Sequence, residues 1–241
     1  MTDLQILKSG ESFISEELLN LFEENVPKVG FKTEGSERLF FAALFTALDG
    51  TEAEPFIAFE IGTATGLTTR AIEAYVRPLM AEFLHFRWRI ISCDLPDGWS
   101  LNVDQLKKNL PDESLIDASG RFELSPDNRV TVYLSPSEKV LTSPVVPHIN
   151  FAFIDGCHCY QCVMKDFINV GVKLVQGGIV VFHDTGLSIQ SPDNHSKHGK
   201  HMIYTRLAVE DIIKVFGDGL ELLANLESDS NQNGMIIVRK R

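Results

Sequence analysis

Five short apolar runs alternate with segments of helical patterning, and this alternation constrains the fold more than any other feature of the chain. The runs are "PFIAFEIG", "WRIISCDLP", "NRVTVYLSP", "INFAFIDG" and "GGIVVFHDT". Pro55, Gly62, Pro96 and the Gly177–Gly178 pair punctuate them, as expected for buried strands. Between them lie "GLTTRAIEAYVRPLMAEFL", "NVDQLKKNL", "SEKVLTS" and "CYQCVMKDFINVGVKLV". The last of these places Val163, Phe167, Val170 and Leu174 on one helical face. Strands that are apolar throughout are covered on both sides, which predicts a parallel sheet between two helical layers. Two further strands, "LELLANLE" and "GMIIVRKR", close the chain around a hairpin-like connection. The expectation is a Rossmann-like, doubly wound α/β fold: a mostly parallel seven-stranded sheet with an antiparallel C-terminal strand.

With 241 residues, 44% of them hydrophobic, the chain can build one large core, so residues 1–241 are read as a single domain. No internal repeat or low-complexity run divides it. The 33 acids against 22 bases give a net charge of −11. A nucleic-acid surface needs clustered Lys and Arg, so no nucleic-acid partner is expected. The N-terminus lacks a basic segment followed by an apolar one, and no run of apolar residues is long enough for a membrane span. Four cysteines suit a reducing compartment, so the expected location is cytoplasmic.

Ligands of such sheets bind outside the carboxyl ends of the strands. The first strand ends in "FEIGTATGLTTRAI", where Gly62 and Gly66 flank a turn into a helix N-terminus. A dinucleotide turn needs G-x-G-x-x-G; here the spacing is G-x-x-x-G, with Glu60 two residues upstream. A carboxylate there suits the cationic amino end of a methionine-like ligand, directly or through water, better than a pyrophosphate. Asp94, at the end of the second strand, can accept from both hydroxyls of a ribose. Ser137, after the third, can reach an adenine edge or begin the helix that follows.

These motifs, in this order and spacing, resemble class I S-adenosylmethionine-dependent methyltransferases over about residues 31 to 241. The E-x-G-x-x-x-G turn is similar to the catechol-type O-methyltransferases. The "IDG-x-H-x-Y" and "GG-I-V-V-F-H-D" elements resemble a neighbouring group that includes macrolide sugar O-methyltransferases. The resemblance implies that Glu60, Gly62, Thr63 and Gly66 line the methionine end of S-adenosylmethionine. It implies further that Asp94 holds the ribose, that Ser137 lies near the adenine and that Asp155 sits beside the sulfonium or on a metal. Residues 1–50, with helical patterns in "ISEELLNLFEENV" and "EGSERLFFAALFTAL", are expected to cap the cofactor site of a core spanning 51–241.

Methyl transfer to oxygen needs an aligned acceptor and a way to remove its proton. Asp155 and Asp184 end the fourth and fifth strands, where two carboxylates can share a divalent cation such as Mg²⁺. Acids at these two positions bind Mg²⁺ in the metal-dependent relatives. Thr185 stands where catechol-type enzymes carry an amide, and His183 where some sugar methyltransferases carry an acid. His183 would suit a softer ion. The resemblance to the sugar enzymes makes His158 the general base, and an imidazole's ordinary pKa of about 6.5 fits that role. Tyr160 either closes over the acceptor or packs beneath the next loop. His195, His198 and His201 recur in the polar loop after the fifth strand, which can act as a lid. They are read as solvated rather than as a metal site. Trp99 is a candidate for the acceptor wall. Cys157, Cys159 and Cys162 do not match paired C-x-x-C zinc spacing and are read as incidental.

The expected function is thus S-adenosylmethionine-dependent methylation of a hydroxyl on a small molecule, with a divalent metal as a candidate assistant. Two other readings stay open. One is an NAD(P)-dependent oxidoreductase on a similar fold, against which Glu60 and the missing third glycine argue. The other is a non-catalytic nucleotide-binding protein, which would need neither Asp155 nor His158. The N-terminal helices could support a homodimer.

Overall fold

The computed structural model describes residues 36–50, 53–82, 87–97, 101–123, 128–186, 204–226 and 234–241. The first predicted helix, Trp99 and the three loop histidines lie outside them.

In chain order the elements are α1 (Ser36–Gly50), β1 (Phe56–Ile61), α2 (Leu67–Glu82), β2 (Trp88–Asp94), α3 (Val103–Asn109), β3 (Leu115–Asp117), β4 (Val130–Leu134), α4 (Ser137–Thr142), β5 (Ile149–Ile154), α5 (Tyr160–Lys173), β6 (Leu174–Phe182), α6 (Thr205–Phe216), β7 (Leu220–Leu226) and β8 (Met235–Lys240). They form one eight-stranded sheet in the order β3-β4-β2-β1-β5-β6-β8-β7. Only β8 runs against its neighbours, pairing antiparallel with both β6 and β7. The architecture is the Rossmann-like one expected, with one strand more. β3 has three half-buried residues and pairs only with β4, so it is too short to show a period in sequence.

Both sheet faces are buried, which is why the strands are apolar without a break. Along β1, Phe56 and Ala58 join one core cluster, while Ile57, Phe59 and Ile61 join the other. The first cluster is completed by α1, whose Phe40 packs edge-on against Phe151 and Phe153 of β5 at 5.4 and 5.1 Å between ring centroids. The structure buries a broad face of α1 through Leu39, Phe40, Phe41, Ala43, Leu44 and Ala47, which makes α1 a helix of the sheet core. On the opposite face, Val163, Phe167 and Val170 of α5 are buried as their spacing predicts. Buried Asn150 ties β5 to the start of β1: its Oδ1 accepts from Ile57 N at 2.8 Å and its Nδ2 donates to Ala53 O at 3.1 Å.

The order of the strands places the site. From β1 the chain steps outward to β2, goes on to the edge strand β3, comes back to β4 between them, and then crosses to lay β5 on the other side of β1. The carboxyl ends of β1 and β5 therefore flank the topological switch, where the crevice of such sheets opens. Gly62 follows β1 and Asp155 follows β5 at this seam. Asp155 N donates to Ile61 O at 2.9 Å. A Cβ on Gly62, at φ +96°, would stand 2.2 Å from Asp155 O. No side chain larger than hydrogen fits between the two loops.

Candidate active site

The turn after β1 is fastened from below. Glu60 is 1% exposed, and one carboxyl oxygen, Oε2, accepts from Ser92 Oγ at 2.6 Å and from Thr69 Oγ1. Ser92 lies directly beside Glu60 in the β1–β2 register, and its hydroxyl also meets that of Thr63. Burial pushes the Glu60 carboxyl up to about 8, against the opposing pull of the Ser92 and Thr69 hydroxyls. Its second oxygen, Oε1, is buried and has no hydrogen-bond partner among the described residues. Glu60 thus lies beneath the turn, and this oxygen is what it offers to a donor such as an ammonium. Ser92 and Thr69 were missed in the sequence. The available signal was a polar residue at matching depth in two adjacent apolar strands, two positions before Gly62 and two before Asp94.

Asp94 is half-buried at the end of β2. Its Oδ2 accepts from Ala64 N at 2.7 Å and its Oδ1 from Leu95 N at 2.8 Å. It therefore fastens the glycine turn to β2, and each oxygen keeps capacity for a second donor. Ala64, at φ 48°, is one of three left-handed residues in the turn with Gly62 and Gly66. Gly66 answers to α3, because a Cβ there would lie 2.6 Å from Leu106 Cδ1. Ser137 opens α4, but Pro136 takes the cap position, and the Ser137 hydroxyl donates to Asp166 Oδ1 of α5 at 2.5 Å. Burial raises Asp166 to about 6, an effect this hydrogen bond opposes.

The other side of the seam is ionisable. The β5–β6 register pairs Ile154 with Phe182, so Asp155 and Asp184 leave adjacent strand ends as expected. His158 joins them: Nε2 is 3.2 Å from Asp155 Oδ1, and Nδ1 is 3.1 Å from Asp184 Oδ2. His183 Nδ1 also faces Asp155 Oδ1 at 3.1 Å and is 3.5 Å from Asp184 Oδ1. Both imidazoles are 5% exposed. Phe153 packs beside His183 at 5.9 Å between ring centroids. His158 is placed from afar, since its carbonyl accepts from Tyr204 N, at the start of α6, at 2.9 Å. Asp184 sits at φ 56°, a left-handed conformation that aspartate tolerates better than most residues. Thr185 is fully buried, and its N–H donates to Gly234 O at 3.0 Å, anchoring this loop beside β8.

One donor atom each from Asp155, His158 and Asp184 lies within 4.8 Å of the other two. Two carboxylate oxygens and one imidazole nitrogen fit a divalent cation, and the nitrogen favours a borderline ion over Mg²⁺. The sequence assigned that nitrogen to His183. In the structure His158 stands in this set, while His183 Nδ1 lies 3.1 and 3.5 Å from oxygens of the same two acids. Tyr160 turns to α6, where its hydroxyl donates to Asp211 Oδ2 at 2.8 Å. The cysteines are not scattered: one sulfur each from Cys157, Cys159 and Cys162 also falls within 4.8 Å of the others. Burial raises the Cys159 thiol above its ordinary range.

A doubly wound sheet with a glycine turn at its switch point, an acid ending β2 and a reversed last strand is the fold of class I S-adenosylmethionine-dependent methyltransferases. The profile of the family described as "Methyltransferase domain" matches residues 59–185, from β1 to the loop after β6, and the chain belongs to that family. Similar solved structures include an O-methyltransferase from Bacillus cereus in complex with SAH. It is 17% identical, with 99% of this chain and 94% of that one covered and a TM-score of 0.55. Another is the O-methyltransferase TomG from Streptomyces achromogenes, involved in tomaymycin synthesis, in complex with SAM: 12% identity, 98% and 92% covered, TM-score 0.55. A third is the O-methyltransferase NovP, with 15% identity, 85% and 80% covered, and a TM-score of 0.53. At these identities the likeness is one of fold. No curated protein matches the chain. Among the described residues, no helix is long and apolar enough to cross a membrane.

Proposed function

We propose that this chain is an S-adenosylmethionine-dependent O-methyltransferase acting on a hydroxyl of a small molecule. The observation that carries the reading is the Gly62–Asp155 seam. It sets a turn suited to a nucleoside with an amino-acid tail in backbone contact with an Asp–His–Asp cluster of two half-buried acids and a buried imidazole. The cofactor, when bound, supplies a methyl group on a sulfonium, already a good leaving group. The residues of the turn divide the rest: Asp94 takes the ribose and Glu60 Oε1 the amino end. Ser137, with its hydroxyl on Asp166, takes a place beside the adenine.

On the acceptor side, His158 removes the hydroxyl proton. The proton goes to one ring nitrogen, where the acceptor hydroxyl replaces the carboxylate now facing it, while the carboxylate at the other nitrogen orients the imidazole and stabilises the imidazolium that results. A divalent cation held by Asp155, His158 and Asp184 would instead supply Lewis acidity that lowers the pKa of the acceptor hydroxyl. In either case the protein's main work is to hold the acceptor oxygen in line with the sulfonium and away from water. Membership of the methyltransferase family weighs against the nicotinamide reading. A non-catalytic binding role would leave the Asp–His–Asp cluster without a purpose.

Calorimetric titration with S-adenosylmethionine, S-adenosylhomocysteine and NAD tests the cofactor. Binding of the first two is expected, and binding of NAD alone would overturn the reading. Methyl transfer from labelled S-adenosylmethionine to a panel of phenols and sugars, with and without a chelator, then tests the acceptor class and the metal.

A further inference from the structure

The loop between β5 and α5 brings together a second set of donors that methyl transfer does not use. Three of the chain's four cysteines fall within residues 157–162. Cys159 is the N-cap of α5, and its sulfur accepts from Cys162 N at 3.4 Å. That contact folds the two thiols of the C-x-x-C pair onto the same end of the helix, and Cys157 closes over them from the preceding loop. The result is three sulfurs within 4.8 Å of one another, with Cys159 buried and Cys157 and Cys162 half-buried.

We infer that Cys157, Cys159 and Cys162 form a three-thiolate site for a thiophilic d-block cation such as Zn²⁺, its fourth position left to water or an external ligand. With Zn–S bonds of about 2.3 Å, tetrahedral ligation puts the sulfurs about 3.8 Å apart. The present separation exceeds this by no more than about 1 Å, which small side-chain rotations close. On binding, the three thiols release their protons to solvent and become thiolates. The net negative charge of the complex then lies at the N-terminus of a 14-residue helix, where exposed N–H groups favour it. The site is separate in chemistry from Asp155, His158 and Asp184: soft sulfur donors in one set, mainly hard oxygens in the other. Because His158 lies between Cys157 and Cys159, a cation held here would brace the loop that positions the imidazole.

The test is a Co²⁺ titration of the reduced, metal-stripped full chain, followed by sulfur-to-cobalt charge-transfer absorption. Stoichiometric growth of that band is expected in the wild type and in Asp184→Asn, which removes a ligand from the carboxylate set only. Cys157→Ser and Cys162→Ser, both at half-buried positions, should each weaken binding by more than the roughly 10–100-fold that loss of an outer-shell partner costs. The inference is overturned if the wild type gives no thiolate band, or if the band survives in the double serine variant. It is likewise overturned if the reduced chain binds no cobalt while air oxidation joins two of the cysteines. Should the variants fail to fold, X-ray absorption of the zinc-loaded wild type decides. A sulfur-dominated shell at about 2.3 Å supports the site, and a nitrogen–oxygen shell contradicts it.

Discussion

The two sides of the switch point are built on opposite principles. Around β1 and β2 the polar groups bind one another: Glu60, Ser92, Thr63 and Thr69 form a buried hydroxyl–carboxyl network, and Asp94 clasps the backbone of the turn. Around β5 and β6, four ionisable side chains crowd together, and their hydrogen bonds are to each other's charge-bearing atoms. The first arrangement fixes a shape. The second sets two acids and two imidazoles within reach of one another. A methyltransferase needs both, a rigid seat for a preformed electrophile and a reactive rim for the acceptor, and the switch point is where one sheet can present them face to face.

The largest effect is expected where the two sides touch. Gly62→Ala forces a Cβ into the Asp155 carbonyl and a left-handed φ onto alanine. A loss of several kcal/mol of stability, read as a fall in the chemical-denaturation midpoint, is expected. An unchanged midpoint would mean the seam is not the rigid element described.

The next two variants separate the sides. His158→Ala should lower turnover by about 10²–10⁴-fold while leaving S-adenosylhomocysteine affinity within a few-fold of wild type. Asp94→Ala should reverse that pattern, weakening cofactor binding by on the order of 100-fold through the loss of charge-assisted hydrogen bonds. If either variant damages both properties equally, the division of labour is wrong.

Glu60 gives a sharper, pH-dependent contrast. Its folded pKa of about 8 lies above the ordinary 4.5, so the native state retains a proton that the unfolded chain loses in that interval. Stability from this group is complete below about 4.5 and declines as the pH rises towards 8. Glu60→Gln, which keeps the shape without the titration, should flatten that decline and gain on the order of a few kcal/mol at the alkaline end. A parallel pH profile in the variant would place the titration elsewhere. The smallest effect belongs to Tyr160→Phe, which deletes the hydrogen bond to Asp211 and should lower the denaturation midpoint only slightly while leaving turnover unchanged.

Legibility in the sequence also differs between the two sides. The glycine turn and Asp94 are local features: a positive φ and a strand-terminal acid each leave a mark within a few residues. Asp155 and Asp184 were readable as neighbours because consecutive parallel strands commonly pair. The placing of His158 between the two acids was not readable. It depends on a loop whose path is set by Tyr204, 46 positions away, bonding to the His158 carbonyl. The thiol cluster was hidden for a related reason, since its spacing becomes a site only when Cys159 takes the cap of α5. α1 was legible as a helix but not as a core element, because Phe40 finds its partners on β5 and Phe41 on Tyr75 of α2, both far along the chain.

The account rests on a cofactor lying across the Gly62–Asp155 seam, and a crystal structure soaked with S-adenosylhomocysteine and Mg²⁺ tests this most directly. The expected result has the ribose hydroxyls on Asp94, the amino end at the glycine turn above Glu60 and the sulfur facing the Asp155–His158 cluster. A ligand bound elsewhere, or a crevice that remains empty at saturating concentration, would contradict it.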